Sequence, residues 1–184
     1  MEIIIGILLG ISLSAACGFR VFIPLLVMSI ASLSGNLTLA PGFEWIGSYP
    51  ALVCFAIATG IEIAAYYVPW LDNLLDTIVT PAAIIAGIVV TASCVSGMSP
   101  FLKWSLAVIA GGGAAGLVQG VTVLIRAGST ATTGGLGNPA VSTAEAGGSV
   151  ALAGLAIAFP LIVGIAVIAL LFLAAKKVFA KFTG

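Results

Sequence analysis

The sequence contains no histidine, and only 7% of its residues are charged. Histidine is the commonest metal ligand and a frequent general base, so its absence removes the usual centre of metal-dependent and hydrolytic chemistry. We therefore expect no cofactor, no metal site and no enzymatic activity. Because the formal net charge is zero, no electrostatic attraction to nucleic acid is expected either.

Cysteine is also scarce. The three cysteines, Cys17, Cys54 and Cys94, are widely spaced, odd in number and placed in apolar stretches. This arrangement contains neither a disulfide framework nor the spacing of a metal site. Each cysteine is predicted to be a small buried hydrophobic residue.

Apolar residues dominate the composition. They make up 61% of the chain, and the mean hydropathy is +1.31, whereas a soluble domain is usually about 45–50% apolar and about 25% charged. The chain is predicted to be one integral membrane domain over residues 1–184. Because backbone polar groups in lipid must be paired internally, we expect an all-α polytopic transmembrane bundle. Five stretches approach or exceed the roughly 20 apolar residues that a spanning helix needs: 3–33, 51–68, 74–95, 102–125 and 150–175.

The first stretch is too long for one straight crossing. As a single helix, residues 3–33 would extend about 46 Å, against a hydrocarbon core of about 30 Å. Gly18 and Pro24 lie on either side of Arg20, and both residue types weaken a helix. A broken or kinked helix near Arg20 is predicted, with a re-entrant hairpin or a strongly tilted helix as alternatives.

Basic residues near the helix ends indicate the orientation, because they accumulate on the cytoplasmic side. With the five crossings above, Lys103 and the C-terminal lysines fall on one side and Arg126 on the other. This places the C-terminus in the cytoplasm and the N-terminus outside. The expected location is the inner membrane of a bacterium.

Several ionisable residues fall within or beside the apolar stretches. A charge at membrane depth costs about 2.5–3.5 kcal/mol on insertion scales, and such residues usually face the protein interior or a water-filled cavity. Glu62 is interpreted either as an ion or proton site or as the partner of Arg20 in a fixed ion pair. Glu62→Gln is expected to abolish transport while the protein stays folded. The candidate ligands of this kind are Arg20, Glu62, Asp76, Arg126 and Glu145.

Two spacing patterns add to this set. Asp72, Asp76 and Thr80 are four residues apart and so share one helix face. Asp72 and Asp76 suit either the capping of the third helix or contact with a ligand. A second four-residue repeat allows two helix backbones to approach closely, within this chain or between copies: Gly112, Gly116 and Gly120.

The stretch 127–149 separates two apolar segments and is rich in Gly, Ser and Thr. We predict an ordered, partly re-entrant segment that lines a cavity, with an ordinary external loop as the alternative. Residues 142–145 read Ser-Thr-Ala-Glu, the form of a capping box, which predicts a helix start near Ser142. The polar side chains expected to coordinate a ligand are Thr132, Thr133 and Asn138.

Two blocks of the sequence together resemble a bacterial multi-pass membrane family known as domain of unknown function 4126. The resemblance covers nearly the whole chain and implies an ordered role for the stretch 127–149. It brings no substrate. The blocks are residues 132–139 with Val141, Ser142 and Glu145, and Glu62 followed by Val68, Pro69, Asp72 and Asp76.

These observations predict a transporter or channel-like protein for a small solute, an ion or a lipid headgroup. In this hypothesis Glu62, Asp76 and Glu145 bind a cation or carry a proton. The alternative is a non-transporting subunit or assembly factor of a larger membrane complex. The partners expected are the lipid bilayer and either further copies of the chain or other membrane subunits, and no nucleic acid.

Overall fold

The computed structural model describes residues 1–67 and 71–182, and it describes the side chains of residues 1–67 and 75–177. All regular secondary structure in these residues is helical, which confirms the all-α prediction. A short 3₁₀ helix covers Glu44–Gly47, and a π-helix, Ala107–Gly112, joins α5 to α6. The α-helices are α1 (Glu2–Cys17), α2 (Phe22–Leu33), α3 (Tyr49–Tyr66), α4 (Leu71–Cys94), α5 (Pro100–Leu106), α6 (Gly113–Thr133), α7 (Asn138–Ala158) and α8 (Pro160–Phe182).

Five helical segments of the described chain are long and apolar enough to cross a membrane: α3, α4, the continuous helix Pro100–Thr133, α7 and α8. The predicted number of spans is therefore confirmed, but two of the predicted spans are wrong. Residues 3–33 form the two shorter helices α1 and α2, and residues 150–175 are divided at Phe159. Pro160 explains that division, because it lacks the backbone N–H that would continue α7 and it begins α8 instead.

The helices α1 and α2 form a re-entrant hairpin. A Cβ placed on Gly6 would lie against the carbonyl oxygen of Cys94, so α1 begins beside the end of α4. After α2, the N–H of Ala40 donates to the carbonyl of Ser93 at 2.8 Å, so the chain has returned to the same end. The tip of the hairpin, residues 18–21, lies deep in the bundle. Of the alternatives left by the sequence, the broken helix is confirmed as a hairpin, and the tilted helix is wrong.

The two ends of the bundle differ in their basic residues. The N-terminal end holds residue 1, the loop before α3 and Lys103 of α5. The C-terminal end holds the turn between α6 and α7, together with Lys176 and Lys177 on α8. The expectation that Lys103 shares a side with the C-terminal lysines is therefore wrong, because α7 adds a crossing between them.

One close helix contact involves Gly87 of α4 and Gly111 of the π-helix. A Cβ on Gly111 would lie 2.6 Å from the carbonyl oxygen of Gly87. The Ser14 hydroxyl donates to the same carbonyl at 2.6 Å, which brings α1 into the contact. The predicted glycine repeat packs less closely. A Cβ on Gly112 would lie 3.0 Å from the side chain of Ile88, and a Cβ on Gly116 would lie 3.4 Å from the side chain of Ile84. A Cβ on Gly120 would meet nothing within 4 Å. The contact with the backbone of α4 is thus made by Gly111, one residue before the predicted glycine repeat begins.

The substitution Gly111→Ala is expected to destabilise the protein by about 1–3 kcal/mol, because the new methyl group overlaps the backbone of α4. The matched control is Gly113→Ala, where a Cβ meets nothing within 4 Å. That control should be neutral or slightly stabilising, since alanine favours a helix over glycine. Thermal unfolding of both variants in detergent measures the difference. Equal midpoints would contradict the proposed contact.

Candidate functional site

The stretch 127–149 forms the ends of two spanning helices, and the prediction of a re-entrant, non-helical segment is wrong. The helix α6 continues to Thr133, and only residues 134–137 form a turn before α7. Gly134 and Gly135 have φ values of 65° and 91°, a left-handed conformation that glycine adopts without strain and that ends a helix. The predicted start at Ser142 is also wrong, because α7 begins at Asn138 with Pro139 in its first turn.

The predicted coordinating residues of this stretch are bonded locally. Thr132 donates to the carbonyl of Gly128 at 2.9 Å. Thr133 donates to the carbonyl of Ser129 at 2.7 Å and accepts the N–H of Gly137 at 2.9 Å. Both threonines are exposed. These contacts stabilise the turn, and they do not bring the threonine side chains to the buried charges.

Asn138 lies at the beginning of α7 and is buried. Its side-chain amide donates to the hydroxyl of Thr130 at 3.0 Å, across the turn. The side chain of Asp72, another predicted ligand, lies outside the described residues. Asn138 was predicted to coordinate a ligand, and the structure places it in the connection between α6 and α7.

The remaining five predicted residues come together in the interior. Arg20 lies at the hairpin tip, and the others come from α3, α4, α6 and α7. All five are between 1% and 8% exposed. We call this group the ion cluster: Arg20, Glu62, Asp76, Arg126 and Glu145.

Arg126 and Glu145 form the centre of the ion cluster. The Arg126 guanidinium donates from Nη1 to Oδ1 of Asp76 at 2.5 Å, and from Nη2 to both carboxylate oxygens of Glu145 at 2.8 and 2.6 Å. Glu145 also pairs with Nη2 of Arg20 at 3.1 Å. The same Nη2 donates to the carbonyl of Ser142 at 3.2 Å. One carboxylate thus holds both arginines and fixes the hairpin tip against α6 and α7.

Tyr66 of α3 belongs to the same site and was missed by the sequence analysis. Its hydroxyl donates to Oδ1 of Asp76 at 3.2 Å. The guanidinium carbons of Arg20 and Arg126 lie 3.8 and 4.3 Å from the centroid of its ring, within range of a cation–π interaction. The available signal was its position four residues after Glu62, which puts both side chains on one helix face.

Glu62 binds the backbone of the hairpin tip. Its two carboxylate oxygens accept the N–H groups of Val21 at 2.8 Å and Phe22 at 3.1 Å. These N–H groups belong to the beginning of α2, whose N-cap residue makes no side-chain capping bond. A carboxylate there satisfies unpaired donors and faces the positive end of the helix dipole. The fixed ion pair with Arg20 is therefore not what the structure shows, because Arg20 pairs with Glu145.

Several buried donors of the site have no hydrogen-bond partner among the described residues. They include Nε and Nη1 of Arg20 and Nε of Arg126. Gln119 Nε2 and the hydroxyl of Ser142 are buried and unpartnered in the same way. Since buried donors are normally satisfied, these groups are suited to contact a small polar molecule. No group of three or more His, Cys, Asp or Glu side chains is placed to share a metal ion in the part of the chain that the structure describes.

A pocket borders the site, and an apolar groove lies elsewhere on the bundle. A polar pocket of about 300 Å³ lies between α4 and α6, and Asp76 is the member of the ion cluster that lines it. The other lining residues are Thr77, Thr80, Val123 and Ala127. An apolar groove of about 380 Å³ lies along α1, α6, α7 and α8, and Gly116 and Gly120 form part of its wall. Of this pocket and this groove, the polar pocket is the one lined by a charged residue.

The fold and the site together define a multi-pass helical membrane protein in which a re-entrant hairpin closes over a buried ion cluster. Residues 7–179 match the family described as Domain of unknown function (DUF4126), and the chain belongs to that family. The family expected from the two sequence blocks is thereby confirmed. No match was found among curated proteins or among solved structures.

Proposed function

We propose that the protein is a transporter or channel-like protein for a small solute, an ion or a lipid headgroup. The observation that supports this most is the ion cluster at the tip of the re-entrant hairpin, reached by the polar pocket at Asp76. Irregular backbone and charged side chains at membrane depth are costly, and they occur where a protein binds or conducts a polar species. Broken helices that meet near mid-membrane are typical of transporter sites.

The transport proposal requires that the polar pocket become accessible from each side of the membrane. We would replace the three native cysteines, introduce Thr80→Cys in the pocket, and label with a membrane-impermeant thiol reagent from each side in turn. Labelling from both sides is expected for a transporter that alternates its access. The matched control is Leu136→Cys in the turn after α6, where the side chain is 89% exposed and one-sided labelling is expected.

The same experiment distinguishes the other function. Labelling of Thr80→Cys from the C-terminal end alone would identify a closed cavity and favour a non-transporting subunit or assembly factor. The apolar groove beside α8 supports that second proposal, since a helix of another membrane protein could pack against its glycines. Co-purification of a stoichiometric membrane partner would establish it. In either case we propose that the protein is not an enzyme.

We further propose that the C-terminus is cytoplasmic in a bacterial inner membrane. Lys176, Lys177 and Lys181 all lie near the end of α8, whereas Lys103 is the one lysine near the opposite end. Basic residues retained on the cytoplasmic side support this orientation. In intact cells, Asn36→Cys before α3 is expected to react with an impermeant reagent, and Leu136→Cys is expected to react only after lysis. The reverse result would invert the topology.

A further inference from the structure

We propose that Asp76 is a proton-binding group that exchanges its proton with the C-terminal end of the bundle through the polar pocket. This inference deepens the proposed function, on which its meaning for transport rests, by naming the coupling ion and its site. It is carried by the charge balance of the ion cluster, by the contacts of its three carboxylates and by the position of the pocket.

The charge balance shows that the ion cluster has room for one more positive charge. The ion cluster contains three carboxylates, those of Glu62, Asp76 and Glu145, and two guanidinium groups, those of Arg20 and Arg126. The N-terminus of α2 offsets part of the charge on Glu62, because a helix end carries roughly half an elementary charge. A negative surplus nevertheless stays buried at membrane depth, where an uncompensated charge is costly. Reversible binding of a cation would remove this negative surplus.

A proton fits this position better than a metal ion. The guanidinium of Arg126 lies 2.5 Å from Oδ1 of Asp76, so a metal ion on this carboxylate would face a fixed positive charge. The described residues also offer no group of three or more acidic, cysteine or histidine side chains for a metal. A proton needs no coordination shell. It binds one carboxylate oxygen and leaves the arginine in place.

Asp76 is the carboxylate of the ion cluster that lines the polar pocket, and its protonation weakens its own pairing with Arg126 but leaves the other ion pairs in place. Both oxygens of Glu62 hold the hairpin tip, so its protonation would weaken the bonds to Val21 and Phe22. Glu145 holds both arginines, so its protonation would weaken two ion pairs. When Asp76 is neutral, Arg126 keeps its two bonds to Glu145.

The residues around Asp76 determine how a proton reaches its carboxylate and what changes in the bundle when the proton binds. Tyr66 of α3 and Arg126 of α6 contact its carboxylate, and Arg20 and Glu145 lie on the far side of Arg126. The pocket beside it is lined by Thr77 and Thr80 of α4 and by Val123 and Ala127 of α6. A proton from water adds to the carboxylate and returns to water, and no covalent bond in the protein breaks. Neutralisation loosens the pairing of α4 with α6 at the mouth of the pocket.

The test is a pH titration of the purified protein in lipid bilayers, followed by infrared difference spectroscopy. As the pH falls, the carbonyl stretch of one protonated carboxyl should appear together with a change in the tyrosine bands, because Tyr66 donates to Asp76. Asp76→Asn should lose both signals. Glu44→Gln is the control, since Glu44 is exposed at the beginning of the 3₁₀ helix and accepts the N–H of Gly42, and this variant should keep the coupled tyrosine change.

Three results would overturn the inference. The coupled signals could persist in Asp76→Asn, they could disappear in Glu145→Gln while Asp76→Asn keeps them, or they could shift when sodium replaces choline in the buffer. Elution as a single species in size-exclusion chromatography shows that each variant is folded. Proton binding at Asp76 with one-sided labelling of Thr80→Cys would support the site and refute transport. Two-sided labelling without the coupled signals would support transport and refute proton binding at Asp76.

Discussion

Replacing Arg126 with glutamine should produce the largest loss of stability of any single substitution in the ion cluster. The change leaves Asp76 without its guanidinium and removes two of the bonds to Glu145. Breaking a buried ion pair from one side costs about 3–5 kcal/mol, because the remaining charge stays buried without compensation. We expect a lower unfolding midpoint in detergent and reduced accumulation in the membrane. Lys177→Gln, which removes an exposed positive charge, should leave both unchanged.

A double variant shows whether Arg126→Gln destabilises the protein through the loss of charge balance or through the loss of packing. Asp76→Asn combined with Arg126→Gln removes one negative and one positive charge, and Arg20 still pairs with Glu145. The double variant should therefore be at least about 1 kcal/mol more stable than the sum of the two single effects predicts. Strict additivity would show that Arg126 acts through its packing against Tyr66 and not through Asp76.

The ion cluster could be predicted as a set of residues but not as a set of contacts. Each of its members is a charged residue in or beside an apolar stretch, and the cost of such a charge in lipid requires a partner. Which partner it finds depends on helix rotation and on the hairpin, and neither leaves a local signal. Arg20 and Glu145 are 125 positions apart in the sequence and 3.1 Å apart in the structure. Glu62 binds backbone amides, which no side-chain pattern could have indicated.

The stretch 127–149 shows why a polar composition misled the prediction of its structure. Gly, Ser and Thr disfavour a helix in water, because Gly loses backbone entropy, Thr loses side-chain rotamer freedom, and the Ser hydroxyl competes for backbone hydrogen bonds. In lipid every backbone group must be paired within the protein, so the same residues stay helical. The break between the two helices comes at Gly134 and Gly135, which end α6. The division at Phe159 was missed, although Pro160 provided a signal for it.

Replacing Glu62 with alanine should open the hairpin tip and expose Cys17. In the native structure Cys17 ends α1 at the tip and is fully buried, so with Cys54 and Cys94 replaced it is a specific probe. Glu62→Ala removes two hydrogen bonds to a charged acceptor, each of which contributes about 1.5–3 kcal/mol. If opening of the tip limits the reaction, a loss of about 3 kcal/mol raises the rate of thiol labelling about a hundredfold.

Comparison with a conservative variant shows whether Glu62 acts by holding the tip. Glu62→Gln keeps one acceptor oxygen for Val21 or Phe22 and replaces the other with a donor, so its rate of Cys17 labelling should lie between those of the native protein and Glu62→Ala. Glu44→Ala removes an exposed carboxylate far from the tip and should leave the rate unchanged. Equal rates for the native protein and Glu62→Ala would show that packing alone holds the tip. The loss of transport expected for Glu62→Gln would then have to come from the carboxylate itself, as an ion or proton site, and not from the position of the hairpin.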